Sequence, residues 1–335
     1  MLIAGDIGGT KTILAAYSSE TSPQKPIVQK RYPSDQYPSL GAMVHEFLDD
    51  TRLPIHYACF AVAGPVINGK ASLTNLPWKS IDEEELSQQL NLTSTRLMND
   101  LEAVANSIPH LHINDVYTLN KGKAIPNGAI GIIAPGTGLG EAYMTWDGLE
   151  YRAHASEGGH TSFAPNSKTE LKILAYLWDQ HEHVSTERVC SGIGIPSIYQ
   201  YFLANGYTES PTFKKKLDQA EEQHRTKVIT DEAMQEHPDP LCAQTVQTFA
   251  AILGGAAGNL ALTELATGGI YIAGGIPMHI LPYLNSKTFI NAFQAKGRLQ
   301  NILADIPVHV ILARAALLGA AGYGLKLIYR DLKQP

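Results

Sequence analysis

Two α/β domains are what this sequence predicts, and three observations carry the expectation. The chain has 335 residues, more than one hydrophobic core comfortably serves. Short apolar runs of strand character alternate with stretches of helical spacing. An apolar run that enters a glycine turn and leaves as a second apolar run occurs near the start of each half, which suggests a duplicated architecture.

Taken in order, Leu2-Ile3-Ala4, the turn Gly5-Asp6-Ile7-Gly8-Gly9-Thr10-Lys11 and the run Thr12 to Tyr17 read as a strand–turn–strand hairpin. Leu40 to Leu48 has helical spacing, and Ala58 to Ala63 is a buried strand stopped by Gly64-Pro65. Asp82 with Glu85 reads as a capping box for a helix over Glu83 to Leu90. Arg96-Leu97-Met98 is a short strand closed by Asn99-Asp100, and the helix after it must end near Ile108-Pro109. The second half repeats the opening: Ala129 to Ala134 is a strand, Pro135 to Gly140 a glycine turn, and Glu141 to Trp146 is strand-like again. Lys168 to Asp179 is helical, and the polar segment Thr208 to Pro240 predicts surface helices. Ala250 to Ala266 is rich in Ala and Gly and predicts a helix packed closely on a neighbour. Ile270 to Ala273 is a strand ending at Gly274-Gly275, and Ala315 to Gly324 is a small-residue helix.

Composition narrows the function. With 44% apolar and 17% charged residues the chain has the makings of real cores and lacks the signature of disorder. A net charge of −6 and the absence of a basic stripe argue against nucleic acid as a partner, Lys214-Lys215-Lys216 reading as a solvated helix face. Cys59, Cys190 and Cys242 form neither a disulfide framework nor a zinc site and fit a reducing compartment. No basic leader with a cleavage site opens the chain, and Gly, Thr or charge interrupts its apolar stretches, so the expectation is a cytoplasmic protein without a membrane partner.

The chemistry is concentrated in a few motifs. Gly8 and Gly9 let backbone amides converge on an anion, Thr10 adds a hydroxyl, and Asp6 is placed to hold Mg²⁺ through water; the alternative is an ordinary β-turn, which needs the glycines but neither the buried-strand aspartate nor the Thr-Lys that follows. Gly136-Thr137-Gly138-Leu139-Gly140 has GxGxG spacing, not GxGxxG. It leads into strand-like Glu141 to Trp146 instead of a helix, so a Rossmann dinucleotide site fails and a second phosphate hairpin fits better. No GxxxxGK[ST] loop is present. Two such hairpins, one per half, would clamp a triphosphate in an interdomain cleft. Asp100 reads equally as a general base at a cleft edge or as a plain helix N-cap. Ser156-Glu157-Gly158-Gly159-His160 suits a loop converging on a polyhydroxylated ligand, or a polar surface turn; one Glu and one His are too few for a metal. Glu187-Arg188 and Ser191-Gly192-Ile193-Gly194 by themselves mean only a helix start on the surface.

In this order the motifs closely resemble the bacterial glucokinases of the sugar kinase, actin and heat-shock chaperone superfamily. The resemblance runs almost end to end, adding Phe163-Ala164-Pro165-Asn166, Gly258-Asn259-Leu260-Ala261 and Ile272-Ala273-Gly274-Gly275-Ile276. It implies two ribonuclease-H-like (actin-like ATPase) domains around a cleft, residues 1–109 with 316–335 and residues 110–315, and a homodimer. It implies ATP-dependent phosphorylation of D-glucose to glucose 6-phosphate in glycolysis, with ATP and Mg²⁺. Asp100 resembles the base that takes the proton of the 6-hydroxyl, and Asn99, Glu157, His160 and Glu187 the sugar ligands. Asp6, Gly8, Gly9 and Thr10 resemble phosphate loop one, Gly136, Thr137 and Gly138 loop two, and Gly274-Gly275 the adenosine turn. The chain departs from the pattern at Lys11, where several of these enzymes carry Asn, and Lys11 either adds charge near the phosphates or points to solvent. The zinc motif of the ROK subgroup is missing. The alternatives are a kinase of another hexose or of an amino sugar, and a non-catalytic sugar sensor of the same fold. A sensor has no need of the base, and no helix-turn-helix precedes Asp6.

Overall fold

A computed structural model describes residues 1–73, 76, 78 and 80–331. The chain forms two compact units, Met1–Asn114 with Ala313–Pro335, and Asp115–Leu312. It crosses between them a few residues from the boundaries expected after 109 and 315.

The first unit is built from β1 (Leu2–Ile7), β2 (Lys11–Tyr17), β3 (Val28–Pro33), α1 (Leu40–Thr51), β4 (Tyr57–Val62), a small sheet of β5 (Val66–Ile67), β6 (Lys70–Ala71) and β7 (Ile81–Asp82), then α2 (Glu83–Gln89), β8 (Ser94–Asn99) and α3 (Asp100–Ser107). Its main sheet has the order β3-β2-β1-β4-β8, with β2 antiparallel and β4 parallel to β1. The central strand is apolar up to Asp6 because both of its faces are covered. Ile3 and Ile7 pack with Met43, Val44 and Phe47 of α1, while Leu2 and Ala4 pack with Leu317, Ala320 and Ala321 of the C-terminal helix, Ala315–Asp331. Each large apolar side chain so buried contributes about 1.5–3 kcal/mol. Strand alternation puts Asp6 on the face of Leu2 and Ala4, toward the C-terminal helix. That helix comes close because it is small: a Cβ at Gly319 would land on the Ala103 carbonyl, and one at Gly324 would lie 2.7 Å from Leu2 and 2.9 Å from Cys59. In register, Ile7 lies opposite Val62 and Val62 opposite Asn99, so the Asp6 turn and Asn99-Asp100 leave the sheet at the same, carboxyl-terminal edge.

The second unit contains β9 (Val116–Asn120), β10 (Ile130–Pro135), β11 (Leu139–Trp146), β12 (Tyr151–Ser156), α4 (Lys168–Trp178), α5 (Gly194–Ala204), α6 (Pro211–Asp218), α7 (Arg225–Ala233), α8 (Pro240–Thr263), β13 (Gly269–Ile272), α9 (Gly275–His279), α10 (Leu281–Leu284), α11 (Lys287–Gln294), α12 (Gln300–Asp305) and β14 (Val308–Ile311). Its sheet runs β12-β11-β10-β13-β14-β9. With the edge strand β9 set aside, the connectivity repeats that of the first unit: a hairpin, its antiparallel third strand on one side, two parallel strands on the other. This is the duplication that the repeated strand-to-glycine-turn module predicts.

Helix α8 starts at Pro240, ten residues earlier than its Ala/Gly run predicts, because Asp239 caps it by accepting from Leu241 N at 3.0 Å and Leu241, Cys242, Val246 and Phe249 are buried. By length and composition it could cross a membrane, which the broken apolar pattern does not predict, yet 78% of its most apolar window is packed inside the protein. Its glycines have a packing reason: a Cβ at Gly254 or Gly258 would strike the carbonyl oxygens of Phe289 or Phe293 on α11. The stretch Thr208 to Pro240 does form surface helices, and Lys214 and Lys216 pair there with Glu209 and Glu232 at 3.0 and 3.2 Å.

Candidate active site

In the first unit, the turn between β1 and β2 is closed by Gly8 N–H, which donates to Lys11 O at 3.1 Å. Of the two glycine amides expected to face an anion, that of Gly8 is therefore committed to the turn. A residue outside every sequence motif braces this loop. Ser34, fully buried just after β3, donates its hydroxyl to Gly8 O at 2.7 Å and its amide to Thr10 O at 3.2 Å, with Thr12 Oγ1 3.0 Å from its Oγ. Asp6 is partly buried beside the loop, and burial pushes its carboxyl up while Lys11 and Arg314 pull it down.

At the same edge, Asn99-Asp100 opens α3. The N-cap of α3 is Asn99, whose Oδ1 accepts from Leu101 N at 2.8 Å while its Nδ2 donates to Gly64 O at 3.1 Å. Asp100 is the first residue inside the helix, so the plain-cap reading of it falls. Its Oδ1 shares the Leu101 amide at 2.9 Å. Desolvation raises its pKa, the Leu101 amide opposes that, and the negative charge of Asp6 adds to the rise. A carboxylate made more basic this way is a better proton acceptor.

In the second unit, the Gly136–Gly138 turn has the same plan: Gly136 N donates to Gly138 O at 2.8 Å. The segment expected to be a mere helix start straps it down, with Gly192 N on Gly136 O at 2.8 Å and Ile193 N on Thr137 O at 3.3 Å. Gly274 has φ 103°, where L side chains are strained, and a Cβ there would lie 2.8 Å from Pro135 O. Because β13 runs parallel to β10, with Ala273 N bonded to Ile133 O at 2.9 Å, Gly274-Gly275 and the Gly136 turn share one sheet edge.

Glu157, His160 and Glu187 come together although 30 residues of chain separate the first from the last. His160 Nε2 lies 3.8 Å from Glu157 Oε2 and its Nδ1 4.0 Å from Glu187 Oε1. The two carboxylates differ: the Glu157 side chain is 87% exposed, that of Glu187 20%. Glu187 does stand at a helix start, the short 3₁₀ turn Thr186–Arg188, but its carboxylate is turned away from solvent. Its Oε2 accepts from Leu139 N at 2.9 Å, and a Cβ at Gly138 would collide with it. Gly159 in turn lies against Leu139 O with no room for a Cβ. The sugar-type cluster and the second glycine turn are thus one packed assembly.

Glu141, two residues beyond Leu139, carries the most perturbed carboxyl of this neighbourhood, raised to about 7 by burial and by Glu264. No group of three or more His, Cys, Asp or Glu side chains gathers for a metal among the described residues. A polar cavity of about 510 Å³ in the first unit, bordered by Lys70, Asp82, Glu83 and Arg96, contains none of the predicted site residues. Two ion pairs span its wall, Lys70 with Asp82 at 2.8 Å and Arg96 with Glu83 at 3.5 Å.

A family model described as Glucokinase matches residues 3–327. The chain belongs to the glucokinase family. A glucokinase from Nostoc sp. is 43% identical over 96% of this chain and 98% of its own, and one from Synechocystis sp. 40% identical over 95% and 96%. In three dimensions, a glucokinase from an Antarctic psychrotroph superposes with a TM-score of 0.83 at 30% identity, covering 97% of this chain and 98% of its own. A ROK family glucokinase from Streptomyces griseus, crystallised with glucose and AMPPNP, shares the fold at TM-score 0.64 and 18% identity, over 97% and 99%. The resemblance to glucokinases and the α/β actin-like fold expected from the sequence both stand, and glucokinase activity comes with membership.

Proposed function

We propose that this glucokinase-family chain moves the γ-phosphoryl group of ATP to O6 of D-glucose with Asp100 as general base. The observation that carries the reading is Asp100 itself: a partly buried, uncapping carboxylate with a raised pKa, on the sheet edge that also presents Asp6 and the Gly8–Thr10 turn. In the step, the bond from γ-phosphorus to the β,γ-bridging oxygen breaks and its electron pair stays on ADP. The new bond forms from O6, and the O6 proton passes to Asp100. Such transfers are accelerated by positioning and charge compensation, with no covalent enzyme intermediate.

Glu157, His160 and Glu187 supply acceptors and one imidazole for sugar hydroxyls, and the Asn99 carbonyl oxygen has a second lone pair beyond its bond to Leu101 N. A sugar lacking a matching hydroxyl leaves such a group unpaired, at a cost of about 1–3 kcal/mol. Gly8, Gly9 and Thr10 form the first phosphate loop, Gly136, Thr137 and Gly138 the second, and Gly274-Gly275 the adenosine turn. A single partly buried carboxylate, Asp6, beside a phosphate turn fits Mg²⁺, which keeps several waters and takes its other ligands from phosphates. When bound there, Mg²⁺ supplies charge neutralisation between the phosphates. The proposal requires both sets of residues to serve one ternary complex. We further place the protein in the cytoplasm, as its three free, buried cysteines suggest, and as the homodimer the resemblance implies.

Glucose-dependent ADP formation with Mg-ATP tests the reading, run beside Asp100→Asn. Activity that falls about 10²- to 10⁴-fold in the variant with glucose binding kept is the expected result. Turnover of another hexose or an amino sugar in place of glucose would move the substrate assignment. Sugar binding without any phosphorylation would replace the enzyme by a sensor.

A further inference from the structure

The cationic side of the first phosphate loop includes a residue from the far end of the chain. The C-terminal helix packs on β1 and runs antiparallel to it. Its Gly324 lies against Leu2 at the start of the strand, and its Leu317, Ala320 and Ala321 share a core with Ala4. From Gly324 back to Arg314 is about 15 Å along a helix, and from Leu2 to Asp6 about 13 Å along a strand. The two paths match, so the start of the helix lies beside Asp6, on the face to which strand alternation turns that carboxylate. The electrostatic influence of Arg314 on Asp6 agrees with that placement.

Two things about Arg314 are unusual for a structural arginine. It is exposed and immediately precedes a helix of 17 residues, where the helix dipole disfavours a cation. It also shares Asp6 with a second exposed cation, Lys11, and among the described residues no side-chain hydrogen bond or ion pair is formed by either. Two like charges and a helix N-terminus around one partly buried carboxylate, unpaired, leave a surplus of positive potential at the Gly8–Thr10 turn. A guanidinium with its donors free matches phosphate oxygens in pairs.

We propose that Arg314 contacts the terminal phosphates of the phosphoryl donor at the Gly8–Thr10 turn and offsets the charge left on the β,γ-bridging oxygen as the phosphoryl group departs. The inference rests on the assignment of that turn as a phosphate loop. Lys11 is its weaker companion, reaching the same anion as a point charge.

Steady-state kinetics of the full chain, varying Mg-ATP and glucose separately, test this with Arg314→Met, which keeps the apolar stem, and Arg314→Lys, which keeps the charge. The expected result is a fall in kcat/KM for Mg-ATP of roughly 10- to 100-fold in Arg314→Met, the worth of a charge-assisted hydrogen bond. The KM for glucose stays as in wild type, and Arg314→Lys recovers part of the loss. Unfolding of either variant would show in circular dichroism, and a merely structural arginine would not separate the two KM values. Wild-type kcat/KM for Mg-ATP in Arg314→Met overturns the proposal. If wild type does not phosphorylate glucose, it is the proposed function that fails. Calorimetric titration of Mg-ATP then decides the arginine alone, equal affinity of wild type and Arg314→Met counting against it.

Discussion

Glu141→Gln is the substitution whose effect can be worked most directly from the structure. The carboxyl lies on β11 with Oε2 against Gly158, where a Cβ would clash with it, and Glu264 at the end of α8 and the buried Cys190 are the titratable groups that sense it. Burial lifts its pKa from 4.5 to about 7. With the folded value above the unfolded one, the folded state prefers the protonated form. Its stability contribution is full below about pH 4.5 and is lost as the pH rises through 7. Each tenfold change in acidity is worth about 1.4 kcal/mol, so the whole penalty of ionising Glu141 in place approaches about 3.4 kcal/mol above pH 8. A glutamine keeps the shape and cannot ionise. The variant is therefore expected to gain on wild type by about 2–3 kcal/mol between pH 5 and pH 8, read from urea denaturation of the second unit at both pH values. Titrating groups that do not sense Glu141 cancel in the difference. Parallel stability curves for the two proteins across that range would refute the assignment of a buried, charge-averse carboxyl at this position.

Asn99→Ala removes the cap of α3 and the bond to Gly64, and should lower stability by about 1 kcal/mol by thermal melting, while Asn99→Asp keeps the cap and most of that stability. If Asn99 also holds the sugar, both variants raise the KM for glucose, so the two readouts separate cap from ligand. Glu187→Ala leaves Leu139 N–H without its acceptor at the second glycine turn, and is expected to raise the KM for both glucose and Mg-ATP. Glu157→Ala, whose carboxylate touches nothing of that turn, should raise the KM for glucose alone.

The strands β1, β2, β4, β10 and β13 were legible because each is largely buried and reads as an apolar run beside a glycine turn, whereas β14, parallel to β13, was not predicted. The helices were legible in position and less so in extent. Asp239 capping α8 ten residues ahead of its small-residue stretch is a local event hidden inside a polar segment. For the candidate site, the motifs were readable and the contacts each residue makes were not. Asn99 and Asp100 offer the same cap chemistry in adjacent positions, and only backbone geometry shows that Asn99 takes the cap and releases Asp100. Glu187 looked like surface because its partner, Leu139 N–H, is 48 residues away in sequence. Ser34 and Arg314 carried no motif at all, being ordinary residues brought to Gly8 and Asp6 by the pairing of β3 with β2 and the packing of the C-terminal helix on β1.

The two glycine turns share a device that no motif encodes. In each, the first glycine spends its N–H on closing the turn, Gly8 on Lys11 O and Gly136 on Gly138 O. In each, the carbonyl of that same glycine accepts from a distant segment, Ser34 Oγ at 2.7 Å in one and Gly192 N at 2.8 Å in the other. A carbonyl oxygen facing a phosphate would repel it, and an unsatisfied one could rotate toward the site. Tying both carbonyls into the scaffold removes that freedom and fixes the remaining donors of the turn before any anion arrives. Glycine serves different ends in the two units: a Cβ at Gly8 would lie 2.9 Å from Lys11 O, the partner that closes its own turn, whereas one at Gly136 would meet nothing and it is the brace that must be small, a Cβ at Gly192 lying 2.9 Å from Gly136 O. On the proposed reading of both turns as phosphate loops, the duplicated fold meets one electrostatic need twice, with a serine side chain as the brace in one unit and a backbone amide in the other.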